Sequence, residues 1–139
     1  MQSLELISKK VIPATPERVF QMWTDPDKFK LWWGPQGVRC SKVQLELKVG
    51  GSYSIENLFS NGDSLIIFGV YEQIIPNQKL IYTWNIGQSK AERVTVLFVE
   101  HENGTEVTVI HQRITDVESK HRHALGWEGC LDKLHSFAC

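Results

Sequence analysis

The sequence predicts an α+β fold in which an antiparallel sheet of about six to seven strands packs against a long C-terminal helix. Apolar residues alternate with a period of two from about residue 41 to Gln112, which is typical of half-buried strands. Two Asn-Gly pairs inside that stretch mark hairpin turns, and a helical apolar period begins near Val117. Because so large a sheet cannot leave both faces in water, we expect the final helix to cover one face.

The first elements predicted along the chain are a strand and two short helices. The strand runs from Leu4 to Ile12, where a proline follows and ends it. Thr15 is placed to cap the first helix, with a proline at the first helical position. Asp25-Pro26 ends that helix, and a second one follows from about Pro26 to Trp33, ended by Gly34-Pro35.

Six further strands are predicted after the two helices. Gly50-Gly51 and Asn61-Gly62 separate the first three of them, Pro76-Asn77 turns the chain, and Asn103-Gly104 forms another hairpin. The predicted strands span residues 41–49, 52–59, 65–75, 79–86, 91–100 and 105–112.

The final helix is predicted from about Val117 to Phe137, with Asp116 as its capping residue. Gly126 and Gly129 lie inside it, where each glycine costs roughly 1 kcal/mol relative to alanine. We therefore expect these glycines to allow a close backbone approach or to leave room for a ligand. The apolar stripe predicted to face the sheet consists of Leu125, Trp127, Cys130, Leu131, Leu134 and Phe137.

Length and composition favour one domain over residues 1–139. The chain is 42% hydrophobic and 22% charged, which are ordinary values for a globular protein. Fifteen basic residues against sixteen acidic ones give a formal net charge of -1, so we expect no nucleic-acid partner. The sequence has no apolar stretch of membrane-spanning length and no signal-peptide pattern, so we expect no membrane span and a cytoplasmic location.

Five short motifs occur in order over almost the whole chain. They are Pro13-Ala14-Thr15-Pro16-Glu17-Arg18-Val19-Phe20, Trp32-Trp33-Gly34-Pro35, Val49-Gly50-Gly51-Ser52-Tyr53, Leu80-Ile81-Tyr82-Thr83-Trp84 and Gly126-Trp127-Glu128-Gly129-Cys130-Leu131. Together they resemble the family named after the activator of heat-shock protein 90 ATPase, in the START-like, or SRPBCC, superfamily. The resemblance implies a helix-grip fold, in which a strongly curved antiparallel sheet surrounds the C-terminal helix and leaves a hydrophobic cavity between them.

Aromatic side chains are the main candidates for the wall of such a cavity. The adjacent residues Trp32 and Trp33 point about 100° apart on a helix, so one can pack inside while the other faces the cavity. The alternative is that the aromatic side chains simply fill the core. The candidate ligand-binding residues are Trp23, Phe29, Trp32, Trp33, Tyr53, Phe68, Tyr82, Trp84, Phe98 and Trp127.

Glu72 and His111 are the candidate polar groups of the cavity. Glu72 lies in an otherwise apolar predicted strand, where burial would cost several kcal/mol unless the carboxyl is paired or protonated. The alternative for Glu72 is a solvent-facing position on the outer face. His111 could reach the cavity, but a solvated or capping role is the alternative for it, as for His121 and His123. The last two diverge on a helix and cannot easily share a metal ion.

No catalytic motif, metal-binding spacing or phosphate-binding loop is recognisable, so we expect no catalytic residues, no metal and no cofactor. The first hypothesis is a monomer or homodimer that binds a small hydrophobic or amphipathic ligand without chemistry. A polyketide cyclase or aromatase-like enzyme that uses Glu72 or His111 is one alternative. A heat-shock protein 90 co-chaperone or a stress-response protein is the other.

Overall fold

A computed structural model describes residues 4–34, 37–88 and 90–138; Pro35, predicted to help end the second helix, lies outside them. The seven-stranded antiparallel sheet, the two short helices and the long C-terminal helix confirm the predicted α+β fold. The elements are β1 (Leu4–Ile12), α1 (Pro16–Thr24), α2 (Pro26–Trp32), β2 (Val38–Leu45), β3 (Ser52–Phe59), β4 (Ser64–Ile75), β5 (Lys79–Ile86), β6 (Glu92–His101), β7 (Gly104–Ile114) and α3 (Val117–Ala138).

The strands follow the order β1-β7-β6-β5-β4-β3-β2, so six of them form a meander and the first strand adds to its end. Every neighbouring pair is antiparallel. The sheet curls into a half-barrel, and α3 packs against β1 and β7 on its concave side. No helix within the described ranges is both long enough and apolar enough to cross a membrane.

Thr15 and Asp116 cap the first and the last helix as the sequence indicates, and Asp25, predicted only to end α1, also caps α2. The Thr15 side chain accepts the Arg18 backbone N–H at 3.2 Å. Asp25 accepts the Asp27 N–H at 2.9 Å, and Asp116 accepts the Ser119 N–H at 2.7 Å. Because each cap satisfies a backbone donor that has no partner within its helix, these starts are determined locally.

The second strand differs from its predicted range of 41–49, because β2 spans Val38–Leu45. Leu47 and Val49 are exposed, although the alternating pattern places them with the buried residues. The reason is a tight turn in which the Lys48 N–H bonds the Glu46 carbonyl at 2.8 Å and takes the chain away from the sheet. The period-two pattern therefore continues past the end of the strand.

The buried face of α3 is narrower than the predicted stripe. Leu125 and Phe137 are exposed, whereas the other predicted members of the stripe are buried. At about 100° per residue, Leu125 points about 160° and Phe137 about 80° away from Trp127. Only the side chains close to the direction of Trp127 therefore reach the sheet.

Candidate functional site

An open space of about 420 Å³ lies between α3 and strands β3, β4 and β5. Its volume falls within the range of roughly 300–1,000 Å³ that is usual for small-molecule pockets. Val38, Phe59, Leu65, Ile67 and Ile86 form much of its apolar wall. We call this space the cavity.

Three of the predicted aromatic residues, Trp33, Trp84 and Trp127, line the cavity. The Trp127 ring stands edge-on to Trp33 at a centroid distance of 5.4 Å, and it lies 5.7 Å from the Trp84 ring. All three side chains are buried, so they are held in place by the surrounding packing. They form one continuous aromatic wall.

Four other predicted residues, Trp23, Phe29, Tyr53 and Tyr82, come together in a separate, filled part of the core. The gap that they help to enclose measures only about 10 Å³, which is space for one water molecule at most. The Tyr53 and Tyr82 rings, for example, pack edge-to-face with centroids 5.2 Å apart. For these four side chains the structure matches the alternative of core packing.

Trp32 and Phe98 are buried and lie outside the cavity lining. The Trp32 indole N–H donates to the Met22 carbonyl at 2.7 Å, and the Phe98 ring contacts Phe20 edge-on at 5.4 Å. Of the two adjacent tryptophans, it is therefore Trp33 that faces the cavity.

Phe68 and Glu72 lie on the outer face of β4, so their predicted position at the cavity is wrong. Ile67 and Tyr71 are buried on the inner face, and the residue that follows each of them points the opposite way. The Phe68 side chain is 40% exposed, and the Glu72 carboxylate pairs with Arg93 at 2.9 Å.

We expect Glu72→Ala to change the free energy of unfolding by less than about 0.5 kcal/mol, because exposed ion pairs contribute little. Urea denaturation of Glu72→Ala, Arg93→Ala and the double variant measures the pair directly. A coupling energy above about 1.5 kcal/mol would contradict the exposed position of this pair.

A polar cluster that the sequence does not indicate lies beside the cavity. His111 is fully buried, and its Nδ1 atom accepts the Trp127 indole N–H at 3.0 Å. Because an indole nitrogen can only donate, this bond places the histidine proton on Nε2. That Nε2–H then donates to the Glu92 Oε1 atom at 2.6 Å.

His123 completes the cluster and forms part of the cavity lining. Its ring stacks on His111 at a centroid distance of 4.5 Å, and its Nε2 atom lies 3.2 Å from the same Glu92 oxygen. The structure therefore does not match the alternative of a solvated or capping role for His111 and His123, whereas His121 is exposed. The strand register explains why Glu92 and His111 meet. Val94 of β6 pairs with His111 of β7, and Glu92 lies two residues before Val94 on the same face of β6.

The ionisation states within the cluster follow from burial and hydrogen bonding. Burial disfavours the charged carboxylate of Glu92, but hydrogen bonds from His111 and His123 outweigh that effect and lower its pKa to about 2. Burial also lowers the pKa of His111, because its bond to Glu92 offsets only part of the cost of a buried cation. At neutral pH the cluster thus pairs an ionised Glu92 with a neutral His111.

We expect the protein to lose stability in acid in two steps. His111 has a folded-state pKa below its ordinary 6.5, so the unfolded chain binds a proton first and stability falls as the pH drops below that value. Glu92 has a folded-state pKa of about 2 against an ordinary 4.5, so its contribution is lost as the pH falls from 4.5 towards 2. The free energy of unfolding, measured from neutral pH downwards, should fall less steeply below pH 6.5 in His111→Gln than in the unaltered protein. Equal slopes would contradict a neutral buried His111.

The cluster brings three metal-ligating atoms, from Glu92, His111 and His123, within 4.8 Å of one another. Two observations argue against a metal ion there. The proton on the His111 Nε2 atom occupies the lone pair that a metal needs, as long as the Trp127 bond is made. The two imidazole planes lie only 15° from parallel, so a single ion cannot lie in both. The geometry therefore fits a hydrogen-bonded cluster.

The sequence contains a signal for two functional residues that were not predicted, Glu92 of the cluster and Asn57, a buried residue of the cavity lining. Asn57 follows Ile55 on the inward face of β3, and Glu92 precedes Val94 on the inward face of β6. Period-two alternation alone thus places both polar side chains inside the half-barrel. The approach of His123 has no such signal, because it depends on how α3 crosses the sheet.

Comparison with solved structures shows the same fold in proteins from several bacteria. A protein from Chromobacterium violaceum superposes with a TM-score of 0.87 at 23% identity, over 96% of this chain and 96% of that chain. The AHSA1 protein from Silicibacter pomeroyi gives a TM-score of 0.83 at 23% identity, again with 96% of each chain covered. A Staphylococcus aureus protein of unknown function gives 0.77 at 23% identity, over 97% of this chain and 93% of that chain. At such identities the likeness shows the fold alone.

Sequence comparison identifies the family. No curated protein sequence matches this chain significantly. The family model of the Activator of Hsp90 ATPase homolog 1-like protein matches residues 13–138, which confirms the resemblance that the five motifs indicate. Since this match extends over nearly the whole sequence, the chain belongs to the family of Activator of Hsp90 ATPase homolog 1-like proteins.

Proposed function

We propose that the protein binds a small hydrophobic or amphipathic molecule in the cavity between the sheet and α3. The observation that supports this most is the contrast between two parts of one core. Beside an aromatic cluster that leaves a gap of only about 10 Å³, an apolar space of about 420 Å³ stays open. Because apolar surface left in contact with water is unfavourable, a largely apolar pocket of that size that opens to solvent favours an occupant.

The family fold supports a ligand-binding domain in general, and the cavity wall supports the apolar character of the ligand. The enzyme alternative loses its candidate groups, because Glu72 faces outward and His111 is buried beside the cavity rather than in its lining. The co-chaperone alternative depends on the family name alone. Free, buried Cys40 and Cys130 favour a reducing compartment such as the cytoplasm.

A titration with decan-1-ol tests the proposal with an uncharged, largely apolar probe. Three of the five tryptophans line the cavity, so bound alcohol should change the intrinsic fluorescence. We expect a saturable, one-site curve below the concentration at which the alcohol aggregates, confirmed by calorimetry. A strictly linear response with no calorimetric heat of binding, both for this alcohol and for a charged molecule with the same alkyl chain, would contradict the proposal.

A further inference from the structure

Three polar side chains of the cavity lining have hydrogen-bond donors left for a ligand. They are Asn57, Arg122 and the indole of Trp84, whereas the Nε2 atom of His123 is bonded to Glu92; no carboxylate is part of the lining among the residues that the structure describes. We propose that the ligand is an apolar molecule with a carboxylate head, and that these donors bind the head. This inference rests on the proposed function and names the class of ligand for the same cavity.

The Trp84 indole N–H provides the first argument. Trp84 is only 6% exposed, and its N–H has no hydrogen-bond partner in the part of the chain that the structure describes. An unpaired buried donor is unfavourable. The Trp23 indole N–H is unpaired as well, but Trp23 packs in the filled part of the core, whereas the Trp84 ring lines the cavity and can meet a ligand there. The Trp84 ring lies 5.9 Å from the His123 ring, and both rings are part of the cavity lining.

Asn57 provides a donor whose orientation is fixed by its neighbour. The Trp33 indole N–H donates to the Asn57 Oδ1 atom at 2.8 Å. Because the indole cannot accept, the amide oxygen must face Trp33, and the NH₂ group is left to donate elsewhere. No bond from that NH₂ group to another described residue is formed, and Asn57 lines the cavity. The amide is thus held in the orientation that an acceptor-rich ligand needs.

Arg122 adds a positive charge from α3. Its guanidinium is exposed, and the contacts that it makes within the described ranges are local, to the Ser119 hydroxyl at 3.1 Å and to Glu118 at 3.7 Å. Its long side chain can therefore turn to a ligand at the cavity mouth. The nearby Glu92 carboxylate accepts hydrogen bonds from His111 and His123 and is not part of the cavity lining, so Arg122 and Asn57 are the groups that a ligand head can contact.

Together these groups favour a ligand with a carboxylate head over a purely apolar or a cationic ligand. A purely apolar ligand would leave the Trp84 and Asn57 donors unpaired, and a cationic ligand would be repelled by Arg122. A carboxylate accepts several hydrogen bonds at once and forms a charge-assisted pair with a guanidinium. The apolar walls then bind the remainder of the molecule.

Calorimetry with decanoate and decan-1-ol, which share one alkyl chain, tests the inference. We expect decanoate to bind at least about tenfold more tightly at low salt. Equal affinity for the two probes would overturn the inference and leave the proposed function standing. If neither probe binds, the proposed function itself fails.

Two variants identify the groups that bind the head. Asn57→Asp keeps an oxygen for the Trp33 N–H but replaces the donor by a negative charge, and Arg122→Gln removes an exposed cation with little risk to folding. We expect each to weaken decanoate binding about tenfold without changing decan-1-ol binding. Lys120→Gln, a charge change on the same helix away from the cavity lining, should change neither. If the variants weaken the binding of both probes equally, or if neither variant weakens the binding of decanoate, the assignment of these donors is overturned.

Discussion

Gly126→Leu is expected to abolish binding of decan-1-ol while the fold stays at least as stable as in the unaltered protein. Gly126 lines the cavity on α3, and a Cβ atom placed there would meet no atom within 4 Å. A larger side chain can therefore extend into the open space without displacing a neighbour. Replacing a glycine within a helix also gains about 1 kcal/mol of helix propensity. Fluorescence titration and thermal denaturation measure the two effects separately.

Gly126→Ala is the matched control for this experiment. Alanine gives the same gain in helix propensity but fills little of the cavity, so we expect a raised melting temperature and binding within about threefold of the unaltered protein. If the leucine variant binds the alcohol as well as the alanine variant does, the cavity is not the binding site. If both variants lose stability, Gly126 does not border open space.

His111→Leu is expected to lower the free energy of unfolding by about 3 kcal/mol, because it removes two buried hydrogen bonds, one of them to an ionised carboxylate. The substitution leaves the Trp127 indole N–H without its acceptor and the Glu92 carboxylate without its shorter hydrogen bond. Leucine is close enough to histidine in size that the loss comes mainly from the missing bonds. Equilibrium denaturation in urea at neutral pH measures the change.

His111→Gln separates hydrogen bonding from packing. The glutamine oxygen can accept from Trp127 while its NH₂ group donates to Glu92. We therefore expect the free energy of unfolding to fall by less than half as much as in His111→Leu. A loss below about 1 kcal/mol in His111→Leu would contradict the buried cluster. Equal losses in both variants would show that packing, rather than the two bonds, stabilises this region.

The fold follows from the sequence because its signals are local. Asn61-Gly62 lies in the hairpin between β3 and β4, as predicted. The hairpin predicted at Asn103-Gly104 is present between β6 and β7, but its two turn residues are Glu102 and Asn103, and Gly104 begins β7. The side chains of Thr15 and Asp116 cap α1 and α3. Each of these signals acts over a few residues, so no knowledge of the tertiary structure is needed to interpret it.

The position of the cavity does not follow from the sequence, because it depends on which aromatic side chains pack against one another. Trp23 and Trp33 have the same chemistry, yet one packs in the filled core and the other borders the open space. The predicted position of Phe68 at the cavity is wrong for a related reason. Its strand is apolar on both faces, since Ile66 and Val70 are exposed beside it while Ile67 is buried. Periodicity cannot tell the inner face from the outer one in such a strand.

The central claim, that the cavity is a binding site, is tested most directly by a crystal structure of the protein grown with decanoate. We predict electron density for the alkyl chain against Trp33, Trp84 and Trp127, with the carboxylate close to Arg122 and the Asn57 amide. A cavity closed by its own side chains, with decanoate bound elsewhere or absent, would contradict the claim.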